Sequence, residues 1–218
     1  MKVKICGITN LDDAVTASEA GADMLGLNFY KPSLRYIEPD TAQKICDILR
    51  HELGDECPVL VGVFANETVA NISIITNKVG LNFAQLSGDE TDDMMVELRG
   101  IAFKAIRPMN LDFALDDVNY FAEHMPGDER APSILLDTYH PKLYGGTGEA
   151  ASIEVALAVK AEVPRLMLAG GLSPENVAER VTVIRPWGVD VASGVESGEA
   201  GIKDPEKVWD FVQAAKEA

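Results

Sequence analysis

The chain has 218 residues, 47% of them hydrophobic and 25% charged, with a formal net charge of −16; this is the composition of a globular protein able to bury a sizeable core. Such acidity, with no basic stripe to neutralise phosphates, excludes a nucleic-acid binder. No apolar run approaches the roughly 20 residues of a bilayer span, and residues 1–20 lack a signal-peptide stretch, so neither membrane insertion nor export is expected.

Short β-rich runs recur at Val3–Cys6, Met24–Asn28, Val59–Phe64, Phe83–Leu86, Ala102–Ile106, Ile134–Asp137, Leu166–Ala169 and Val189–Ala192. Several are nearly continuous apolar stretches, as parallel strands covered on both faces require. Helical segments lie between them. Asn10 is a cap for a first helix, with Asp12 and Asp13 where the helix dipole favours negative charge. Gly21 and Gly80 stand where helices should stop. Ser173-Pro174-Glu175 and Asp204-Pro205-Glu206 each place a capping side chain before a proline, predicting two later helix starts. This alternation predicts an α/β protein built as a (β/α)8 TIM barrel, a single domain over 1–218. An open doubly wound sheet would have fewer strands and a Gly-x-Gly-x-x-Gly turn after the first; here that turn reads Cys6-Gly7-Ile8-Thr9-Asn10.

The C-terminal ends of barrel strands carry reacting groups. The first strand ends in Cys6 and the sixth in Asp137. A cysteine alone is usually a small buried hydrophobe, but a thiol and a carboxyl opening onto one mouth suggest a base and an acid. Strand alternation adds that if Cys6 points into the barrel, so does Lys4, and Asp190 on the neighbouring last strand points inward too. A buried Lys4–Asp190 pair beneath the site is therefore expected, since neither charge tolerates burial alone. Cys46, on the inward stripe of the second helix, and Cys57, before Pro58, are read as structural. Three cysteines without framework spacing fit a reducing cytoplasm. His51, His124 and His140 are too scattered to ligate a metal, so neither metal nor cofactor is expected.

Two late loops, Ala169-Gly170-Gly171-Leu172-Ser173-Pro174 and Ala192-Ser193-Gly194-Val195-Glu196, follow the last two strands. Glycine lets backbone N–H groups approach an oxygen cluster, and barrels bind substrate phosphate at this place. Arg35, in the loop after the second strand, is either a solvated surface residue or a fork for a carboxylate. At the mouth opposite a phosphate site it implies a ligand anionic at both ends. Local donors must then reverse the repulsion of an acidic chain.

Taken in order, Lys4-Ile5-Cys6-Gly7-Ile8-Thr9, Ser33-Leu34-Arg35-Tyr36-Ile37, Val61-Gly62-Val63-Phe64, Gln85-Leu86, Leu135-Leu136-Asp137-Thr138, Gly145-Gly146-Thr147-Gly148, Ala169-Gly170-Gly171-Leu172 with Pro174-Glu175-Asn176-Val177, and Asp190-Val191 with Ser193-Gly194-Val195-Glu196 span the whole chain. They resemble phosphoribosylanthranilate isomerase, the barrel enzyme of tryptophan biosynthesis. The resemblance implies an Amadori rearrangement of N-(5-phosphoribosyl)anthranilate to 1-(2-carboxyphenylamino)-1-deoxyribulose 5-phosphate. By position it implies Cys6 as general base, Asp137 as general acid and Arg35 as partner of the anthranilate carboxylate. Gly146, Gly170, Gly171, Ser193 and Gly194 are the further substrate-binding positions.

That chemistry needs a thiolate and a protonated carboxyl at one pH, against ordinary values of about 8.5 and 3.9. Lys4 or the helix beginning after Asn10 is expected to favour the thiolate, and burial or a nearby anion to keep the Asp137 proton. The chain departs from the family pattern at Ser87, where a histidine is usual, and at Glu149-Ala150-Ala151-Ser152-Ile153, where a basic residue and a Phe-Asp-Trp segment are usual. The rival readings are the histidine-pathway isomerase, which would carry an aspartate in place of Cys6, and a catalytically silent phosphosugar-binding barrel. The expected partner is a small phosphosugar, the compartment the cytoplasm, and the state a monomer.

Overall fold

In a computed structural model, which describes residues 1–98, 100–137 and 152–218, strands and helices alternate in chain order. They are β1 (Lys2–Cys6), α1 (Leu11–Glu19), β2 (Met24–Asn28), α2 (Pro39–Leu53), β3 (Val59–Phe64), α3 (Val69–Val79), β4 (Phe83–Leu86) and α4 (Asp92–Glu97). There follow β5 (Ala102–Ile106), α5 (Leu111–Phe121), β6 (Ile134–Leu136), α6 (Ile153–Glu162), β7 (Leu166–Leu168), α7 (Val177–Ile184), β8 (Gly188–Val191) and α8 (Pro205–Glu217). The eight strands pair in parallel throughout, and β1 closes on β8, giving a barrel in the order β1 to β8. The expected fold class is the observed one.

Local chemistry explains most boundaries. The Asn10 side chain accepts from the Asp13 N–H, and Asp204 accepts from the N–H groups of Glu206 and Lys207, meeting donors that a first helical turn leaves unpaired. Gly80 ends α3 in the left-handed conformation, φ 73°, which costs glycine nothing. The start predicted at Ser173-Pro174 is corrected: Pro174–Asn176 form a turn and α7 begins at Val177. Asn176 closes that turn, its Oδ1 accepting from the Ser173 N–H and its Nδ2 donating to the Gly171 carbonyl. Asp137 and Ala169 fall one residue past their strands, and β8 runs from Gly188 to Val191 rather than from Val189 to Ala192.

Side chains alternate between two cores. Ala102 and Ile106 join the layer between strands and helices, while Phe103 and Ala105 join the barrel interior with Met24, Val61, Phe83, Leu135 and Met167. Cys46 is buried on α2 within the outer layer, where burial pushes its thiol up to about 12. The interior also holds a polar layer of Lys4, Gln85 and Asp190. Lys4 lies in register with Asp190 on β8 and with Met24 on β2, so strand pairing alone brings the two charges together.

Candidate active site

Cys6 ends β1 and is 8% exposed at the floor of the mouth. Its neighbour across β2 is Gly26, where a Cβ would come within 2.7 Å of the Cys6 Sγ; only glycine leaves room for the thiol. Beneath it, the Lys4 Nζ donates to Asp190 Oδ1 and to Gln85 Oε1, both at 2.9 Å. Gln85 Nε2 in turn donates to Ser87 Oγ at 3.0 Å. Lys4 and Ser87 together thus fix which way the Gln85 amide faces.

These contacts set two titrations. Burial disfavours the Lys4 ammonium, but the Asp190 carboxylate and the Cys6 sulfur outweigh it, and its pKa ends above the ordinary lysine value. Burial pushes the Cys6 thiol up; Lys4 and Lys203 pull it down, while Asp190 opposes them, and the net shift is upward. The expected assistance from Lys4 exists, but desolvation exceeds it, so Cys6 rests as a thiol.

Asp137 follows β6, its N–H donating to the Ile106 carbonyl at 2.9 Å. It lines a cavity of about 50 Å3 with Gly170, Gly171, Leu172, Asp190, Ala192 and Ser193. Gly170 and Gly171 have φ of 84° and 60°, a conformation that turns successive N–H groups toward one side. The two late loops touch: a Cβ on Gly194 would overlap the Leu172 carbonyl oxygen. The structure therefore brings Asp137, Gly170, Gly171 and Ser193 to one recess, with Gly194 packed behind it. Gly146 lies outside the described residues, as do Glu149–Ala151.

Arg35 sits in the loop between β2 and α2, where Ser33 Oγ accepts from both Asn28 Nδ2 and the Arg35 N–H, each at 3.1 Å. Its aliphatic stem crosses Gly7, where a Cβ would approach Arg35 Cδ to 2.6 Å. Gly7 also has φ 78°, so both space and backbone favour glycine beside the candidate base. The Arg35 guanidinium grips Glu196, Nε to Oε1 at 2.7 Å and Nη2 to Oε2 at 2.8 Å. Glu196 Oε1 also accepts from the Gly201 N–H at 3.0 Å and lies 3.4 Å from Lys203 Nζ. Burial opposes the Glu196 carboxylate, yet Arg35, the Gly201 N–H and Lys203 hold it below the usual range. Burial brings Lys203 below the ordinary lysine value despite Glu196 and Cys6.

Glu196 and Lys203 were not singled out as site residues from sequence. Glu196 stood in the Ser193-Gly194-Val195-Glu196 segment and could have been suspected, but Lys203, a lone lysine ahead of a helix cap, carried no signal. Among the described residues no group of three metal-ligating side chains occurs, and no helix is long and apolar enough to cross a membrane. The arrangement offers a buried thiol above an ammonium, a carboxyl at the same mouth, a glycine-lined recess and a partly used arginine fork. These parts suit proton transfer on a small molecule carrying two anions.

Residues 3–214 match the model of the N-(5'phosphoribosyl)anthranilate (PRA) isomerase family. A curated N-(5'-phosphoribosyl)anthranilate isomerase from Trichlorobacter lovleyi is 43% identical over 218 residues, covering 100% of this chain and 99% of the relative. The solved phosphoribosyl anthranilate isomerase of Thermotoga maritima superposes with a TM-score of 0.85 at 37% identity, with both chains covered completely. A solved complex of such an isomerase with reduced 1-(o-carboxyphenylamino)-1-deoxyribulose 5-phosphate gives a TM-score of 0.82 at 36% identity, again over both whole chains.

Proposed function

The chain belongs to the N-(5'-phosphoribosyl)anthranilate isomerase family and is an aldose–ketose isomerase of tryptophan biosynthesis; we propose that Cys6 and Asp137 are the base and acid of its Amadori rearrangement. Asp137 gives its proton to the furanose ring oxygen, and the C1–O bond breaks to leave a protonated Schiff base. Cys6 then takes the C2 proton, giving an enolamine, which tautomerises to 1-(2-carboxyphenylamino)-1-deoxyribulose 5-phosphate.

Arg35 meets the anthranilate carboxylate, while Gly170, Gly171, Ser193 and Gly194, with Gly146, hold the phosphate end by backbone N–H groups. The observation that supports this reading best is the placement of Cys6 over the Lys4–Asp190 pair on the mouth that also holds Asp137 and the glycine-lined recess. The base is the thiolate form of Cys6, reached by loss of the thiol proton to solvent before the substrate closes the mouth; Lys4 supplies positive potential to it. We infer that the enzyme acts in the cytoplasm, where three free cysteines without disulfide spacing stay reduced. The test is complementation: the chain should restore growth to a tryptophan auxotroph lacking this step, and Cys6→Ser should abolish it. Growth with the serine variant would remove Cys6 from its assigned role.

A further inference from the structure

Arg35 spends only part of its donor capacity on the protein. Glu196 takes Nε and one hydrogen of Nη2, and among the described residues no protein acceptor meets Nη1. A guanidinium has a second pair of parallel donors, across Nη1 and Nη2, able to take another carboxylate. The Arg35 stem rests on Gly7, one residue from Cys6, which puts its guanidinium beside the mouth. On charge, Arg35 and Glu196 cancel, and buried Lys203, within 3.4 Å of Glu196 Oε1, leaves the trio at +1. The trio can therefore accept one further anion. Lys203 also donates to the Ala192 carbonyl at 2.9 Å, and Lys207 to the Glu196 carbonyl at 2.9 Å. Lys203 thus ties the Glu196 carboxylate to the loop that carries Ser193 and Gly194, while Lys207 holds the backbone at Glu196.

We propose that Glu196 is a positioning residue for substrate binding: it locks Arg35 by one edge so that the other edge is presented to the ligand carboxylate. This ties the carboxylate end of the site to the phosphate loop. The proposal rests on the reading that Arg35 meets that carboxylate, and it makes Glu196 part of substrate selection although it need not touch the substrate.

The test compares the reduced product analogue with the same molecule lacking its ring carboxylate, as ligands of the wild type and of Glu196→Gln, Glu196→Asp and Arg35→Ala, with thermal melting measured alongside. Glu196→Gln loses the ionic fork, and Glu196→Asp keeps the charge but falls a methylene short. Both should weaken the carboxylate-bearing analogue by about tenfold or more and leave the other within about twofold, with KM rising more than kcat falls. On an Arg35→Ala background, Glu196→Gln should add nothing. Equal weakening of both ligands would reduce Glu196 to a fold contact, and tighter binding would make it a blocker of Arg35; either overturns the proposal. If Arg35→Ala itself fails to discriminate the two ligands, the reading of Arg35 falls and the proposal with it. If Arg35→Ala discriminates and Glu196→Gln does not, only the proposal falls.

Discussion

Lys4 and Asp190 meet across the seam that closes the barrel, Nζ to Oδ1 at 2.9 Å, in register on β1 and β8 and buried at the level of the barrel interior, with Asp190 reaching the edge of the recess. The lysine side chain has no solvent exposure and the aspartate side chain 10%. Each charge is therefore tolerable only because of the other, with Gln85 supplying a second acceptor to the ammonium.

Removing one partner should strand the other. Lys4→Met is expected to destabilise the fold by about 3–5 kcal/mol, and the double variant Lys4→Met/Asp190→Leu to recover much of that loss. Urea denaturation of Lys4→Met, Asp190→Leu and the double variant checks it; a double loss equal to the sum of the two single losses would mean the charges are not coupled. The pH dependence has a definite sign. With a folded pKa above the unfolded lysine value of about 10.4, Lys4 contributes stability that is fully present below that value and is lost as pH rises through the folded one. Alkaline destabilisation should thus be smaller in Lys4→Met.

Cys6 should be a poor nucleophile toward iodoacetamide at neutral pH, because burial holds its thiol above the ordinary value. If the thiolate is the base, kcat/KM should climb with pH on the alkaline side, and Lys4→Met should move that limb higher. Cys6→Ala should lower kcat by at least about 100-fold while leaving product-analogue affinity largely intact. A pH profile flat through the alkaline range would contradict a rate carried by this thiolate.

Much of this was legible in the sequence for identifiable reasons. Strand and helix alternation follows from periodic apolar runs and capping residues. The Lys4–Asp190 pair follows from side-chain alternation once the barrel is closed, because β1 must then lie against β8. Arg35 and Glu196 were harder: 160 intervening residues separate loops that meet only in the folded mouth, and no local pattern announces a contact between two loops. The same limit hid Lys203. The start of α7 was misread because Ser173 and Pro174 carry the right residue types, yet the Asn176 side chain closes a turn there first.

The late loops should tolerate little added bulk. A methyl group at Gly194 overlaps the Leu172 carbonyl oxygen, so Gly194→Ala should part the loops, raising KM and lowering the melting temperature together. Ser193→Ala leaves the backbone N–H groups in place and should change both KM and melting little, so a large rise in KM would mean that the hydroxyl and not the backbone holds the anion. A phosphate soak should put the anion beside Gly170, Gly171 and Ser193; the same anion bound elsewhere with this recess empty would count against the assignment.

Glu196 should contribute stability with the opposite pH sign to Lys4. Its folded pKa is held below the ordinary glutamate value, so its contribution is present above the unfolded pKa and disappears as pH falls through the folded one. The melting difference between wild type and Glu196→Gln should hold steady near neutrality and vanish in acid. A difference that persists at low pH would assign the loss to packing.

The central claim, that Asp137 is the proton donor paired with Cys6, is tested most directly by measuring Asp137→Asn and Asp137→Ala for turnover, product-analogue affinity and melting temperature. Asparagine keeps the size and polarity of the side chain but has no acidic proton for the ring oxygen. Turnover of the asparagine variant should collapse to near that of alanine, with analogue affinity within about tenfold of wild type, or roughly 1.4 kcal/mol. An asparagine variant that retains much of the rate while alanine loses it would make Asp137 a structural group and leave Cys6 without its acid.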